Sequence, residues 1–593
     1  MKLALFIPAA ARTATDSAGL AERMVRRMRK RAGQTIAVTM LGAAQLTCVR
    51  GENDPGLWFE AANGNRLALA GQPILIEADL RGELQRAVEQ GGAAAATVLQ
   101  ALDGVFAAVL YEAATGGITV MNDRLGLQPL YVGERPDGVL IATECFAVAA
   151  ALGRAAAPDP GGWSAFLRIG SLAEDRTLVA GVSCVPGASL WRFDRDGACQ
   201  KDCLWSLPQE GEASGDAADR FDALAVAVER EVAAYQRTYG QAVLMLSGGF
   251  DSRFIAAALH RQQLPSEANI VAHPDIGNAD GRLALALAKH LGIPARMHRM
   301  AADFYAGPAY DRYLADTEVS GPSFGLFIAQ VADLIARLRP AAVWDGLALG
   351  YSMAGFFIPA KSVADYLAHV DRLPTASLWR AAQAIFQPRF FADMLDGWHG
   401  LSQRAIESYA PSPLGLQHFF LNARARRRVG VHTLTALVND TVPLTPGTSR
   451  AFIERVYAVP LIERQQELPY RMLYRGRYRT AGQVPIASGS ALYGMQGEND
   501  PWLRWERWRA WALGHWRLQP ALRLLGLKAP DGAADSIFLS RALESFADDP
   551  HIDADAVARL RRDGLASEHG KRQAEILVYW AAFSGALSRP EAF

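Results

Sequence analysis

The stretch Leu246-Ser247-Gly248-Gly249-Phe250-Asp251-Ser252-Arg253 stands between a compact apolar run, Ala242 to Leu246, and a second one, Phe254 to Leu259, that opens a helical pattern. Strand, loop, acid and helix in this order suit an anion. Gly248 and Gly249 let backbone N–H groups approach without Cβ interference, Ser247 and Ser252 add hydroxyl donors, and the helix start contributes partial positive charge. Asp251 would repel a phosphate on its own, so its presence points to a bridging Mg2+, which takes one or two carboxylates together with phosphate oxygens. The bland alternative is a strand-to-helix turn in which the glycines relieve crowding and Asp251 or Ser252 caps the helix. No Gly-Lys-Ser/Thr follows, which excludes a Walker A loop, and there is no Rossmann glycine fingerprint.

The alternation continues outward from this loop. Downstream come a strand over Ala268 to Ala272, helices over Gly281 to Leu291 and Leu326 to Leu338, and a strand over Ala341 to Trp344, the order expected of a parallel α/β sheet. Upstream, Phe221, Leu224, Ala225, Val228 and Val232 recur at helical spacing, and Leu207 to Asp216, rich in acid and glycine, reads as a linker. The first 200 residues are strands punctuated by turns, with a hairpin formed by Val105–Tyr111 and Ile118–Met121 and with helices over 17–31, 80–90 and 144–152. Met1 to Ile7 is expected to be a first strand, because Pro8 cuts it too short for a secretory signal. Beyond residue 360 the pattern is mostly helical and rich in arginine and tryptophan, without internal repeats.

Of the 593 residues 50% are hydrophobic and 21% charged, which supports large cores and argues against disorder. Lys+Arg and Asp+Glu balance at 61 each, which argues against broad electrostatic capture of nucleic acid or anionic membrane. No apolar run approaches the ~18 residues of a membrane span. The five cysteines (Cys48, Cys145, Cys184, Cys199 and Cys203) form no zinc set, and their odd number suits a reducing, cytoplasmic compartment.

The 246–253 segment resembles the pyrophosphate loop of ATP pyrophosphatases. Leu102 to Ala107, Asn122-Asp123-Arg124 through Tyr131, Ala142-Thr143-Glu144, Thr177 to Val182 and Pro186-Gly187 look like glutaminase-domain landmarks of class B asparagine synthetases. The C-terminal third resembles that family only through Val442-Pro443-Leu444 and Pro469-Tyr470-Arg471. The resemblance implies an N-terminal Ntn-type (glutaminase-like) α+β sandwich over 1–207. A parallel α/β ATP-pyrophosphatase domain with a helical C-terminal region would follow over 217–593. It implies ATP and Mg2+ as cofactors, held by Leu246, Ser247, Gly248, Gly249, Phe250, Asp251 and Ser252, with Val271 and Ala272 offering backbone groups to adenine. Asp280 would coordinate metal or cap the next helix. The second nucleotide motif of the family corresponds to Asp345-Gly346-Leu347-Ala348-Leu349-Gly350-Tyr351, where Gly346 survives and Gly350 and Tyr351 stand in place of acids. Asp345 would then supply a metal carboxylate from a shifted position or cap a helix, and Tyr351 would assist the amine.

Family members also use a C-terminal lysine, but no lysine lies between Lys361 and Lys528, so Arg471, Arg475 or Arg477 is expected to substitute. The glutaminase nucleophile of the family is a cysteine after the initiator methionine, and here that position is Lys2, which implies a glutaminase fold without glutaminase activity. With no internal ammonia, the attacking amine is expected to belong to the substrate, as in β-lactam synthetases and lasso-peptide macrolactam synthetases. The lasso type is favoured, which implies a precursor core peptide as substrate and a leader peptidase and leader-recognition protein as partners. An asparagine synthetase-like (ammonia-dependent) or β-lactam synthetase-like enzyme on a small amino-acid substrate is one alternative, and a catalytically inactive binding protein is the other. Arg424, Arg426, Arg427 and Arg428 would hold an acidic substrate segment or form a solvated helix face. Trp502, Trp505, Trp508, Trp511 and Trp516 would wall a peptide site or pack helices.

Overall fold

A computed structural model describes residues 1–9, 17–152, 157–209, 215–272, 279–301, 303–323, 327–346, 349–350, 360–372, 376–464, 467–488, 491–493, 508, 543, 549–563, 565 and 567–588. The expected first strand forms: β1 (Lys2–Pro8) is buried along almost its whole length. It lies inside an antiparallel six-stranded sheet with β2 (Thr35–Leu41) and β3 (Ala44–Arg50) on one side. On the other side are β8 (Tyr131–Arg135), β9 (Gly138–Ala142) and β10 (Ser183–Cys184). A second antiparallel sheet takes β4 (Trp58–Glu60), β5 (Arg66–Ile74), β6 (Asp103–Glu112), β7 (Gly117–Asn122), β11 (Ser189–Phe193) and β12 (Cys199–Cys203). The anticipated hairpin is the β6–β7 pair, with Ala107 opposite Asn122 and Glu112 opposite Gly117.

Period-two alternation gives each strand two faces, and on the central strands both are covered. Leu3, Leu5, Leu46, Ala70, Val109 and Val120 meet between the sheets. Phe6 packs outward with Met24 of α1 (Ser17–Met28) and Val148 of α4 (Cys145–Leu152). Phe106 packs outward with Leu84 and Val88 of α2 (Leu80–Gln90) and Leu99 of α3 (Gly92–Ala101). The result is a helix–sheet–sheet–helix sandwich.

Past the linker, α6 (Ala217–Tyr239) starts on an Asp216 cap that accepts from the Asp219 N–H, and it buries the predicted stripe of Phe221, Leu224, Ala225, Val228 and Val232. Five parallel strands follow in the order β15-β14-β13-β16-β17. They are β13 (Val243–Met245), β14 (Glu267–Ala272), β15 (Ala295–Arg299), β16 (Ala342–Trp344) and β17 (Val442–Leu444). The chain steps from β13 outward through β14 to β15, then returns to the other flank of β13 as β16. That reversal makes the carboxyl ends of β13 and β16 the switch point of the sheet, the place where ligands sit in open α/β sheets.

One core runs across the 207–217 junction. Trp163 of α5 (Pro160–Ile169) lies 4.7 Å from Trp580 of the helix Glu568–Ser588. Gly397, on the helix Pro388–Tyr409, lets that helix meet α5 backbone to backbone, since a Cβ there would stand 2.7 Å from the Gly161 Cα. Four of the five tryptophans considered as a substrate wall lie outside the described residues, and the fifth, Trp508, is exposed.

The arginine cluster contradicts both expectations set for it, because it is neither a solvated face nor a free anion site. Arg426 and Arg427 are buried on the π-helical segment Leu421–Thr435, and they donate to backbone carbonyls of the N-terminal sandwich. Arg426 reaches the carbonyls of Gly126 and Val185, and Arg427 reaches those of Glu174 at 3.2 Å and Arg176 at 2.7 Å. Arg428 donates to the Pro322 carbonyl at 3.2 Å, and Arg424 is half-buried. Sequence periodicity could not show that the opposing surface would be made of main-chain acceptors. Arg427→Met, which keeps the bulk and removes the donors, is expected to lower unfolding free energy by about 2–4 kcal/mol, since two carbonyls lose charged partners. Urea titration followed by circular dichroism measures this, and an unchanged midpoint would contradict the clamp.

Candidate functional site

The 246–253 loop leaves the carboxyl end of β13, the strand from which the sheet reverses. The Leu246 N–H extends the ladder by donating to the Asn269 carbonyl at 2.9 Å. The next three backbone donors turn to side chains. Ser247 N–H meets Ser252 Oγ at 3.0 Å, Gly248 N–H meets Asp280 Oδ1 at 3.0 Å, and Gly249 N–H meets Ser247 Oγ at 3.3 Å. Three successive N–H groups are thus held by two hydroxyls and one carboxylate of the chain itself. A Cβ on Gly248 would lie 2.8 Å from the Asp280 carbonyl and 3.1 Å from Leu283 Cβ, so glycine is what allows the loop to sit on the first turn of α8 (Ala279–Leu291).

α7 (Asp251–Arg261) begins three residues earlier than its apolar run suggested, with Phe250 as its uncapped flanking residue. Neither Asp251 nor Ser252 is therefore a helix cap. The Asp251 carboxylate accepts from the Tyr470 hydroxyl. Burial pushes the Asp251 carboxyl up to about 6, the Tyr470 hydrogen bond pulls it down, and the nearby Glu467 charge adds to the rise. The second motif closes on the same group. A Cβ on Gly350 would fall 2.6 Å from Asp251 Oδ2, and one on Gly346 would fall 2.9 Å from the Asp251 backbone carbon. Gly346 thus serves close packing against Asp251. At position 350 a side chain would require the Asp251 carboxylate to shift.

Asp345 directly follows β16 and donates its N–H to the Leu444 carbonyl at 2.9 Å, which keeps it at the mouth of the sheet. Tyr351 lies outside the described residues. Val271 and the buried Ala272 end β14 beside the loop, and the Ala272 carbonyl already accepts from the Met300 N–H at 3.0 Å. Asp280, in the first turn of α8, is held above the usual carboxylate range by burial, against the pull of Gly248 N–H and the Arg253 charge.

Tyr470 was missed, although it sits inside the Pro469-Tyr470-Arg471 landmark. Its helix, Leu468–Arg475, stacks Tyr470 on Phe250 with ring centroids 5.1 Å apart, and Tyr474 donates to the Phe250 carbonyl at 2.7 Å. Arg471 is the next residue on this helix and is half-buried. Arg477 is not available as a substitute for the family lysine: it binds Glu229 at 2.6 and 2.9 Å and Asp222 at 2.8 and 2.9 Å, both on α6. Arg475 is exposed.

Arg253 is wholly buried and donates to the carbonyls of Gly248 at 3.3 Å, Ala481 at 2.9 Å and Pro485 at 2.7 Å, and to that of Val484. Burial brings its guanidinium down to about 10, still charged at neutral pH. Among the described residues no three His, Cys, Asp or Glu side chains converge as a metal cage. Asp251 fits the lesser demand of Mg2+, one or two carboxylates completed by phosphate oxygens. A cleft of about 680 Å³ lined by His260, Arg261, Gln263, Pro294 and Arg477 opens at the amino ends of the parallel strands, the wrong end of the sheet for this chemistry.

In the N-terminal sandwich, Lys2 is buried. Its Nζ donates to the Met28 carbonyl at 2.8 Å and pairs with Glu144 at 2.5 Å, while Lys30 stands 3.5 Å from the same carboxylate. Burial pulls the Lys2 ammonium below its usual range. The other landmarks build turns. Asp123 accepts the N–H groups of Phe106, Leu125, Leu127 and Gln128 at 2.8 to 3.3 Å, and Asn122 bonds Pro186 and Ser189.

Arg253→Lys replaces a fork that serves four carbonyls with a point donor, and is expected to lower stability by about 2–3 kcal/mol. Urea unfolding checks this, and a variant as stable as the parent would deny the loop its anchor.

Residues 83–204 match the glutamine amidotransferase domain model. The landmark motifs between 102 and 187 fall inside that match, and β1 with Lys2 falls outside it. No curated protein matches the chain. Among solved structures, glutamine phosphoribosylpyrophosphate amidotransferase from B. subtilis, complexed with ADP and GMP, aligns at 13% identity over 50% of this chain and 65% of that one, with a TM-score of 0.24. A structure described as the allosteric regulatory enzyme of purine biosynthesis aligns at 14% identity over the same shares, with a TM-score of 0.25. The alignments span under two thirds of either protein, and at such low overlap they carry no argument. No helix among the described residues is long and apolar enough to cross a membrane. The chain is therefore similar over residues 83–204 to the glutamine amidotransferase domain, in a protein that also carries a parallel five-stranded sheet with a glycine-rich loop at its reversal point.

Proposed function

We propose that this protein is an ATP-dependent carbon–nitrogen ligase that activates a carboxylate as its adenylate and joins it to an amine, releasing AMP and pyrophosphate. The observation that carries the reading is the convergence, at the point of strand reversal, of three loop N–H groups, Asp251 and Asp280. ATP supplies the activation, and the chain's part is to bind and orient. The N–H groups of Ser247, Gly248 and Gly249 would take phosphate oxygens, releasing Asp280 and the two serines. Asp251 would carry Mg2+ with those oxygens, and Tyr470 would hold the Asp251 carboxylate in place. Arg471, beside Tyr470, is the candidate for charge stabilisation.

The amine is assigned to the substrate because Lys2, buried against Glu144, offers no thiolate to release ammonia from glutamine. On this reading the substrate is a lasso precursor peptide, whose Asp or Glu side chain is joined to its own N-terminal amine as a macrolactam. An α-amine titrates near ~7.7–8.0, so a useful fraction is neutral without a dedicated base. Holding amine and acyl carbon together contributes about 7–11 kcal/mol to lowering the barrier. A leader peptidase and a leader-recognition protein would deliver the substrate. A second reading, a catalytically silent binding protein, draws on the same loop: its N–H groups already have partners, and position 350 bears no acid.

Purified protein with Mg-ATP and a precursor peptide encoded beside it is expected to release AMP and leave the peptide lighter by one water in intact mass spectrometry. AMP release with aspartate and ammonia instead would favour an asparagine synthetase-like reaction, and neither product would leave the silent reading. Asp251→Asn is expected to abolish AMP release. Because the folded Asp251 holds its proton up to about 6 against a free value of 3.8, its contribution to stability is present below 3.8 and lost as pH rises through 6. Asp251→Asn should therefore be at least as stable as the parent at pH 8, which a thermal melt measures. At subsaturating Mg-ATP, where the rate reports the free enzyme, AMP release by the parent is expected to fall as pH drops through about 6, and a flat profile under that condition would remove Asp251 from the metal site.

A further inference from the structure

Four strands form the edges of the two antiparallel sheets, and three are guarded. β10 has two residues, β4 has three, and β12 carries Gln200-Lys201-Asp202 along its length. Short or charged edges of this kind discourage pairing with another chain. The fourth, β2, is seven residues long, Thr35-Ile36-Ala37-Val38-Thr39-Met40-Leu41, without charge, proline or glycine. Ile36, Val38 and Met40 are 42%, 51% and 48% exposed.

The pairing register fixes which backbone groups of β2 are open. β2 and β3 are joined by the two-residue turn Gly42-Ala43, and Leu41 faces Ala44. The residue pair closing such a turn exchanges hydrogen bonds, so Leu41, Thr39, Ala37 and Thr35 bond to β3 while Met40, Val38 and Ile36 direct N–H and C=O outward. The same parity runs through the sheet, since the Thr143 N–H donates to the Leu3 carbonyl on the far side of β1. One outward group is already engaged: the Met40 carbonyl accepts from Arg66 at 2.8 Å. A carbonyl has a second lone pair for a further donor.

We propose that β2 is a self-association edge at which a second copy of this chain pairs antiparallel about a two-fold axis through Val38. The strand is self-complementary in that register. Val38 faces its own copy, Ile36 faces Met40, and Ala37 faces Thr39, so apolar residues meet apolar ones and every outward N–H meets an outward C=O. The pairing would form about six main-chain hydrogen bonds and join the two sheets into one continuous sheet. An isologous contact of this kind closes on itself and does not propagate. The area is small, so dissociation constants in the micromolar range are expected.

Sedimentation velocity of the full chain should show dimer at roughly 100 µM and monomer at roughly 1 µM. Val38→Lys, which sets two ammonium groups face to face, and Val38→Pro, which deletes only an outward N–H, should both be monomeric at the higher concentration with unchanged circular dichroism. Across a hydrogen-bonded pair the Cα atoms stand about 5.5 Å apart, within disulfide reach. Val38→Cys should therefore cross-link on oxidation, whereas Ile36→Cys, two residues off the axis, should form no more covalent dimer than the parent. A parent that stays monomeric at 100 µM, variants that dimerise as the parent does, or equal cross-linking at 36 and 38 would each overturn the proposal.

Discussion

The return of the chain across β13 is the constraint on which the rest of the structure depends. Strands leave β13 in opposite directions, which makes the carboxyl ends of β13 and β16 the switch point of the sheet. Everything lining it is then forced into close approach. Gly248 meets the first turn of α8 and Gly346 the Asp251 backbone with no room for a Cβ, and Gly350 lies against the Asp251 carboxylate. The loop after β17 holds the same region from the other side, since a Cβ on Gly447 would strike Leu349. The glycines so prominent in the two motifs act in the first place as packing elements, and that packing is what puts Asp251 at the switch point.

Buried ionic groups secure this arrangement, and most of them are matched to main-chain atoms. Glu231 on α6, pushed up to about 7 by burial, accepts the N–H groups of Gly447, Thr448 and Ser449, and so fixes the loop after β17. Arg253 does the converse with four carbonyls, and Arg426 and Arg427 do it across the 207–217 junction. Arg31 joins Asp316 and Asp440, which draws the N-terminal sandwich onto the segment entering β17. A charge taken from water is tolerated where most of its lone pairs or protons are used. Such groups stabilise one relative placement of the two parts, because only that placement satisfies them.

The glutamine amidotransferase match and the buried Lys2 stand together without conflict. Asp123, Asn122 and Arg124, the residues that made the resemblance visible, turn out to organise turns: Asp123 gathers four backbone N–H groups, and Arg124 ties Asp103 to the end of α3. The sandwich keeps its architecture with an ammonium at position 2.

Local order was legible in the residue string. Alternation of apolar residues marked the β6–β7 hairpin, the helical stripe of α6 and the parallel strands, because period and turn chemistry are properties of neighbours along the chain. The glycine-rich loop was legible for the same reason. Tyr470, Glu231 and the true partners of Arg426, Arg427 and Arg477 were not, since each acts on atoms 218 to 300 residues away. Whether a charge is solvated or buried, and whether a glycine frees an N–H or admits a neighbour, depends on what the folded chain brings opposite it. Periodicity carries no record of that.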